Sequence, residues 1–209
     1  MYRPSAYAVD DVSTLYDVIR ARSFATIATV LNGEPAFAYA PVVLGDVTDG
    51  KGVLEYHLAR GNPLASLDRA KVRISFLGPD GYVSPDWYGA EGFVPTWNYI
   101  VVEASGIAEQ LSGGELRNLL ERLSAEHEAR LLPKKPWVLD KLPASRIDQL
   151  LHAIVGFRVR LETLEGKFKL SQDKKPEARA GVISALEATD TSTNRAVAAA
   201  MRVNADKSR

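Results

Sequence analysis

"YHLARGNP", residues 56–63, ends one element and begins another. The apolar run that leads into it, "GVLEYHLA", reads as a strand. The strand stops at a cation, Arg60, followed by Gly61 and Asn62-Pro63, and "LASLDRA" then reads as a short helix. Two explanations fit. Asn is a good N-cap and Pro suits the first helical position, so the stretch can be plain punctuation. A helix start also offers unpaired N–H groups and partial positive charge. An arginine beside it suits phosphate, so the same stretch can be an anion site. His57 sits on the strand next to this corner and reads as a half-buried histidine bonded to backbone.

Upstream, Asp10 can cap a helix running to about Ala21, with Val12, Leu15, Tyr16 and Ile19 on one apolar face. "SFATIATVL" and "AFAYAPVVL" flank the turn "NGEP" and form a hairpin. Pro41 in the second strand predicts an edge, a bulge or a bend. "GDVTDGKG" is a turn-rich loop. Downstream, "KVRISFLG" is a strand, and "PDGYVSPDWYGAEGFVP" reads as a surface loop rich in turn formers and aromatics. "TWNYIVVEASGIAEQL" is the longest strand candidate. "SGGELRNLLERLSAEHEARLL" is a capped helix with Leu116, Leu119, Leu120 and Leu123 on one face. "LPASRIDQLLHAI" is another, with Ile147, Leu150, Leu151 and Ile154 at the same spacing. "VGFRVRLE" alternates as a strand, and "GKFKLSQ" reads as its hairpin partner. From Pro176 the chain reads as one or two alanine-rich helices that fray at "NADKSR". Strands dominate the first part and no βαβ rhythm appears. The pattern predicts an α+β class: an antiparallel barrel decorated by helices, at about 112–152 and 176–209, within a single domain over 1–209.

The 209 residues are 46% hydrophobic and 25% charged, ordinary for a soluble globular chain. No cysteine occurs, which excludes disulfides, thiolate metal sites and cysteine catalysis and fits a cytoplasmic location. No apolar segment reads as a signal peptide or a membrane span. The 26 basic residues balance 26 acidic ones, so no global field holds the chain on DNA. No dinucleotide fingerprint, P-loop or serine elbow is present. His57, His127 and His152 are too scattered to form a metal site.

Three stretches are chemically dense: "YHLARGNP"; "VPTWNY", residues 94–99; and "GKFKLSQDKK", residues 166–175. Trp97 and Asn98 offer a flat apolar surface and an amide that donates and accepts. Lys167 and Lys169 share one strand face. Structural readings stand beside these: a core tryptophan, and a charged hairpin edge that resists pairing. Together the three stretches suit a flat heterocycle carrying a phosphate.

With "MYRPSAYAVDD", "SFATIAT", "HLARGNP", "SPDWY", "VPTWNY", "IVGFRVRLETLEGKFKLSQ" and "GVISAL" in this order, the chain resembles the PaiB family from Met1 to about Leu186. These are FMN-binding proteins often labelled negative transcriptional regulators. The resemblance implies a split β-barrel, a homodimer, and FMN between the subunits. It implies phosphate contacts from Arg60 and Asn62 with a backbone group of Ala59, His57 close by, and Ala40, Pro41, Val42 and Val43 running along the ring through their backbone. Trp97 and Asn98 would close the site, and Lys169, Ser171 and Gln172 would come from the C-terminal hairpin. Asp173 departs from the family's Asn and calls for an offset by Lys174 or Lys175. Tyr7 stands where Phe is commoner.

Three uses follow: an FMN-binding regulator, a flavin-dependent oxidoreductase acting on a small molecule, or a haem-binding protein with His57 as ligand. A direct DNA partner is disfavoured by the neutral charge and by the lack of a helix-turn-helix, and a membrane is not expected.

Overall fold

The computed structural model describes residues 1–45, 51–189 and 191–206. The expected turn at 46–50 and the last residues, 207–209, lie outside them. Seven strands are present among the described residues: β1 (Ala8–Val9), β2 (Phe24–Leu31), β3 (Glu34–Leu44), β4 (Val53–Ala59), β5 (Ala70–Val83), β6 (Thr96–Gln110) and β7 (Ile154–Lys169). The helices are α1 (Val12–Ala21), α2 (Gly113–Ala129), α3 (Ala144–His152), α4 (Pro176–Ala188) and α5 (Ser192–Asp206). The strand order is β1-β7-β4-β3-β2-β5-β6, and β6 also pairs with β7, so the order closes on itself. This is the expected antiparallel α+β arrangement.

Contacts divide the chain into two compact units. One holds residues 16–76 and 103–164, the other residues 1–15, 77–102 and 165–209. In the first, β2 and β3 form the expected hairpin with an unbroken register from Phe24↔Pro41 to Leu31↔Glu34. Pro41 therefore makes no bulge; it sits where β2 pairing ends and β4 pairing begins at Val42↔Tyr56. Ala25, Ile27, Ala38, Ala40 and Val42 alternate into the core with Leu54, Tyr56, Ile74 and Phe157. Tyr56 stacks on its register partner Phe157 at 5.2 Å. The outer face of β3 and β4 is covered by α2. Leu116 and Leu119 pack on Val43, with Leu120, Leu123 and Leu151 around them. The sequence starts α2 with a full capping box between Ser112 and Glu115.

In the second unit β1 pairs with the end of β7 at Ala8↔Lys167. The cap of α1 is Asp11, whose Oδ2 accepts from the Thr14 N–H at 2.8 Å, one residue later than the sequence indicates. Helices α4 and α5 bury Val182, Leu186, Val197 and Met201.

Three expectations fail for physical reasons. Residues 154–169 form one continuous strand, not a hairpin. Gly166 looks like a turn residue but marks a close approach: a Cβ there would lie 2.3 Å from Leu15 Cδ2 and 3.1 Å from the Val9 carbonyl oxygen. The supposed loop after residue 78 begins as strand, since β5 runs on to Val83. Gly78 is again a contact glycine, where a Cβ would meet Ile100 at 2.8 Å. Finally, "LASLDRA" forms only a four-residue 3₁₀ turn, Pro63–Ser66, because Leu67 is extended and Arg69 has φ +55°.

Candidate functional site

The expected site residues fall into two sets, one in each unit. In the first unit, the strand-to-turn corner is punctuated as the sequence indicates: Asn62 Oδ1 accepts from the Leu64 N–H at 2.9 Å, and Pro63 opens the turn. Ala59 closes the corner by accepting from the Asn62 N–H at 2.9 Å. Arg60 is exposed. Its Nε donates to the His152 carbonyl at 2.6 Å and its Nη2 to the Ile154 carbonyl at 3.0 Å. The guanidinium thus serves the last carbonyls around α3, where a cation is favoured. Among the described residues Nη1 has no hydrogen-bond partner. The one-turn 3₁₀ segment adds no helix dipole of consequence, so an anion at this corner would depend on Arg60.

Ala40 and Val42 point into the core and Val43 lies beneath α2. Ala40, Val42 and Val43 can meet a ligand only through their backbone, while Pro41 is partly exposed. His57 pairs in register with Gly156, on the β4 face that also carries Glu55. Its Nδ1 is buried with no hydrogen-bond partner, so the expected backbone bond is absent. Burial holds the imidazole below its usual pKa, in the neutral form. Beside it, Glu55 is 3% exposed and is held by Arg122 and by Arg158, whose Nε lies 2.7 Å away. Arg158 also reaches Glu115 at 2.7 Å. This network ties α2 to the sheet.

In the second unit the two most specific motifs meet. Asn98, 0% exposed, donates from Nδ2 to Ser171 Oγ at 3.0 Å; Ser171 Oγ lies 3.2 Å from the Tyr88 hydroxyl. Ser171 has φ +58°, uncommon for a residue with a Cβ, and is itself buried. Gln172 uses both ends of its amide locally, accepting from Leu170 N–H at 2.7 Å and donating to Phe168 O at 2.6 Å. These three polar side chains are spent on positioning. Trp97 is not a core tryptophan: it is 53% exposed, with Tyr82 edge-on at 6.2 Å. Lys169 Nζ donates to Thr96 Oγ1 and to the Trp97 carbonyl at 2.9 Å. Asp173 is offset by Lys174 at 2.9 Å, as its departure from the family requires.

Sequence reasoning did not assign Tyr7, Tyr88, Phe93 and Thr96 to a site, yet they line a cavity of about 170 Å3 with Lys169 and Lys174. The signal was present: aromatics are frequent in a stretch read as surface loop. Also unassigned is the outer face of the β2–β3 hairpin, where Phe24, Val30, Phe37 and Tyr39 are all more than half exposed. Both strands are apolar at odd and even positions, the mark of a sheet covered on both faces. Among the described residues no group of His, Cys, Asp and Glu could hold a metal ion, and no helix is long and apolar enough to cross a membrane.

Comparison with known proteins places these features in a family. Residues 1–163 match the family described as "Putative FMN-binding domain". "Protease synthase and sporulation protein PAI 2" of Bacillus subtilis is 31% identical over 189 residues, covering 90% of this chain and 89% of that protein. Among solved structures, the FAD and heme binding protein from Mycobacterium smegmatis superposes with a TM-score of 0.57 at 20% identity, over 78% of this chain and 73% of that one. A "putative 5-nitroimidazole antibiotic resistance protein" from Bacteroides thetaiotaomicron gives 0.55 at 13% identity, over 77% and 85%. At such identities these structures speak for the fold alone. The domain match and the extent of the Bacillus relative together establish that this chain belongs to the PaiB family of FMN-binding-domain proteins.

Proposed function

We propose that this chain binds FMN as a homodimer and acts in the cytoplasm as a PaiB-type negative regulator whose flavin is structural or sensory. The observation that carries the cofactor is the domain match over residues 1–163, which contains the Arg60 corner. The residues present fit such a group. Arg60 is exposed and keeps Nη1 for a phosphate oxygen; charge-assisted bonds of this kind net about 1.5–3 kcal/mol each. Asn62 lies beside it, Ala59 offers backbone, and the backbone from Ala40 to Val43 supplies partners for the polar edge of a flat ring. His57 is neutral and half-buried behind this corner, suited to lining the site. Trp97 offers the flat apolar surface that ring burial needs; Lys169 donates to its carbonyl, and Asn98, Ser171 and Gln172 brace the backbone around it. Bound FMN would supply redox chemistry; the protein's part is to hold and orient it.

The homodimer is supported by the bare β2–β3 face. Phe24 pairs with Pro41, Thr26 with Tyr39 and Ala28 with Phe37 across the two strands, so the outward side chains form one apolar surface. A second copy is the occupant that this face fits, because a self-complementary patch closes with two-fold symmetry. The regulatory role draws on the Bacillus relative, whose name refers to protease synthesis and sporulation. The balanced charge favours action through a partner protein over direct DNA binding.

Arg60→Ala tests the cofactor site. FMN affinity, measured by fluorescence quenching, is expected to fall at least about tenfold, with little change in melting temperature. Unchanged affinity would remove Arg60 from the phosphate site.

A further inference from the structure

The cavity lined by Tyr7, Tyr88, Phe93, Thr96, Lys169 and Lys174 has features that flavin binding does not require. Its volume of about 170 Å3 is below the roughly 300 Å3 at which drug-sized ligands begin to fit, so its ligand is small. Tyr88 and Phe93 stack at 4.3 Å with an interplanar angle of 20° and make one flat wall. Two lysines and one carboxylate border the space, and Asp173 is taken by Lys174 in a 2.9 Å ion pair. Lys174 Nζ also lies 5.7 Å from the Phe93 ring centre. That leaves Lys169. Its ammonium is anchored only to neutral acceptors, the Thr96 hydroxyl and the Trp97 carbonyl, and makes no ion pair among the described residues. Burial lowers its pKa, the signature of a charge whose lost solvation is not fully repaid. Ser171 and Asn98, locked together behind it, keep this end of β7 fixed.

We propose that this cavity binds a small aromatic carboxylic acid, its carboxylate on Lys169 and its ring along the Tyr88–Phe93 wall. The aromatic wall selects a planar acid over an aliphatic one. The single unbalanced cation selects a monocarboxylate over a phosphate dianion. The site deepens the flavin reading by adding a second ligand, and it stands without it, because the phosphate of FMN is assigned to Arg60.

Benzoate, acetate and inorganic phosphate are titrated by calorimetry into the purified full-length protein, with FMN content recorded in parallel. Saturable benzoate binding, at least about tenfold weaker for acetate and for phosphate, is expected. Lys169→Met should weaken benzoate about ten- to a hundredfold. Phe93→Ala, in a loop outside the helices and strands, should weaken benzoate with the melting temperature preserved. No saturable benzoate binding, phosphate binding as tight as benzoate, or unchanged affinity in both variants would overturn the proposal. Loss of FMN by Phe93→Ala would assign the aromatic wall to the flavin and overturn it as well. Loss of FMN by Arg60→Ala with benzoate binding intact supports it and keeps the two sites distinct.

Discussion

The outer face of the sheet has two regions, and the chain treats them differently. Over β3 and β4 it lays α2, buries Val43 under Leu116 and Leu119, and fixes the contact through Glu55 between Arg122 and Arg158. Over the β2–β3 hairpin none of the described residues provides such cover, and Phe24 and Tyr39 remain 69% and 64% exposed. Hydrophobic burial is roughly proportional to area, at about 25 cal/mol per Å2. A face with four large apolar side chains in a row therefore carries a substantial penalty while it is bare. The covered face is closed by the chain's own helix and pinned by charge. The bare face has no pinning charges among its outward β2 and β3 positions, which suits a surface that meets a copy of itself, where like charges would repel.

Breaking the covered face should cost most. Glu55→Ala removes the carboxylate shared by two arginines and leaves both without their buried partner. A loss of about 3 kcal/mol is expected, the lower end for breaking a buried pair, because Arg158 and Arg122 keep partial access to solvent. Chemical denaturation measures it; a loss under about 1 kcal/mol would mean that the leucines alone hold α2.

The bare face should respond differently. Tyr39→Asp is expected to leave the melting of each subunit nearly unchanged and to weaken self-association by about 2 kcal/mol per protomer. Sedimentation equilibrium reads this directly. A variant as dimeric as the parent would move the interface elsewhere.

The smallest effect is the dependence on pH. His57, near the covered face, has a folded pKa lowered by burial from its usual 6.5. Its contribution is complete above pH 6.5 and is lost as the pH falls through the lower folded value. Glu115 is held at about 2 by its bonds to Ser112 and by Arg158, against a usual value of 4.5. Its contribution is present above 4.5 and is lost as the pH falls towards 2. Thermal melts run downward from neutral pH should show two declines, and His57→Gln should remove only the first.

The contrast between the faces also explains what was legible in the sequence. The capping box at Ser112 and Glu115 and the leucine spacing announced α2, because both signals are local. The hairpin "SFATIATVLNGEPAFAYAPVVL" was legible for the same reason. The continuity of β7 was not. Gly166 satisfies the local rule for a turn, and only the distant β1 and Leu15 show that it is there to admit a neighbouring backbone. Trp97 was ambiguous because an exposed tryptophan awaiting a ligand and a core tryptophan have the same spacing. Asn98, Ser171 and Gln172 stand out as polar residues in chemically dense motifs, but their hydrogen bonds go to one another and to nearby backbone. The aromatic wall of Tyr88 and Phe93 depends on a stacking that no periodicity announces.

The most direct test of the cofactor claim is the visible absorption spectrum of the purified chain after FMN is added and the excess removed by gel filtration. Flavin bands that co-elute with a dimer are the predicted result. A colourless protein after reconstitution would contradict the claim and return the Arg60 corner to a structural clamp on the end of α3.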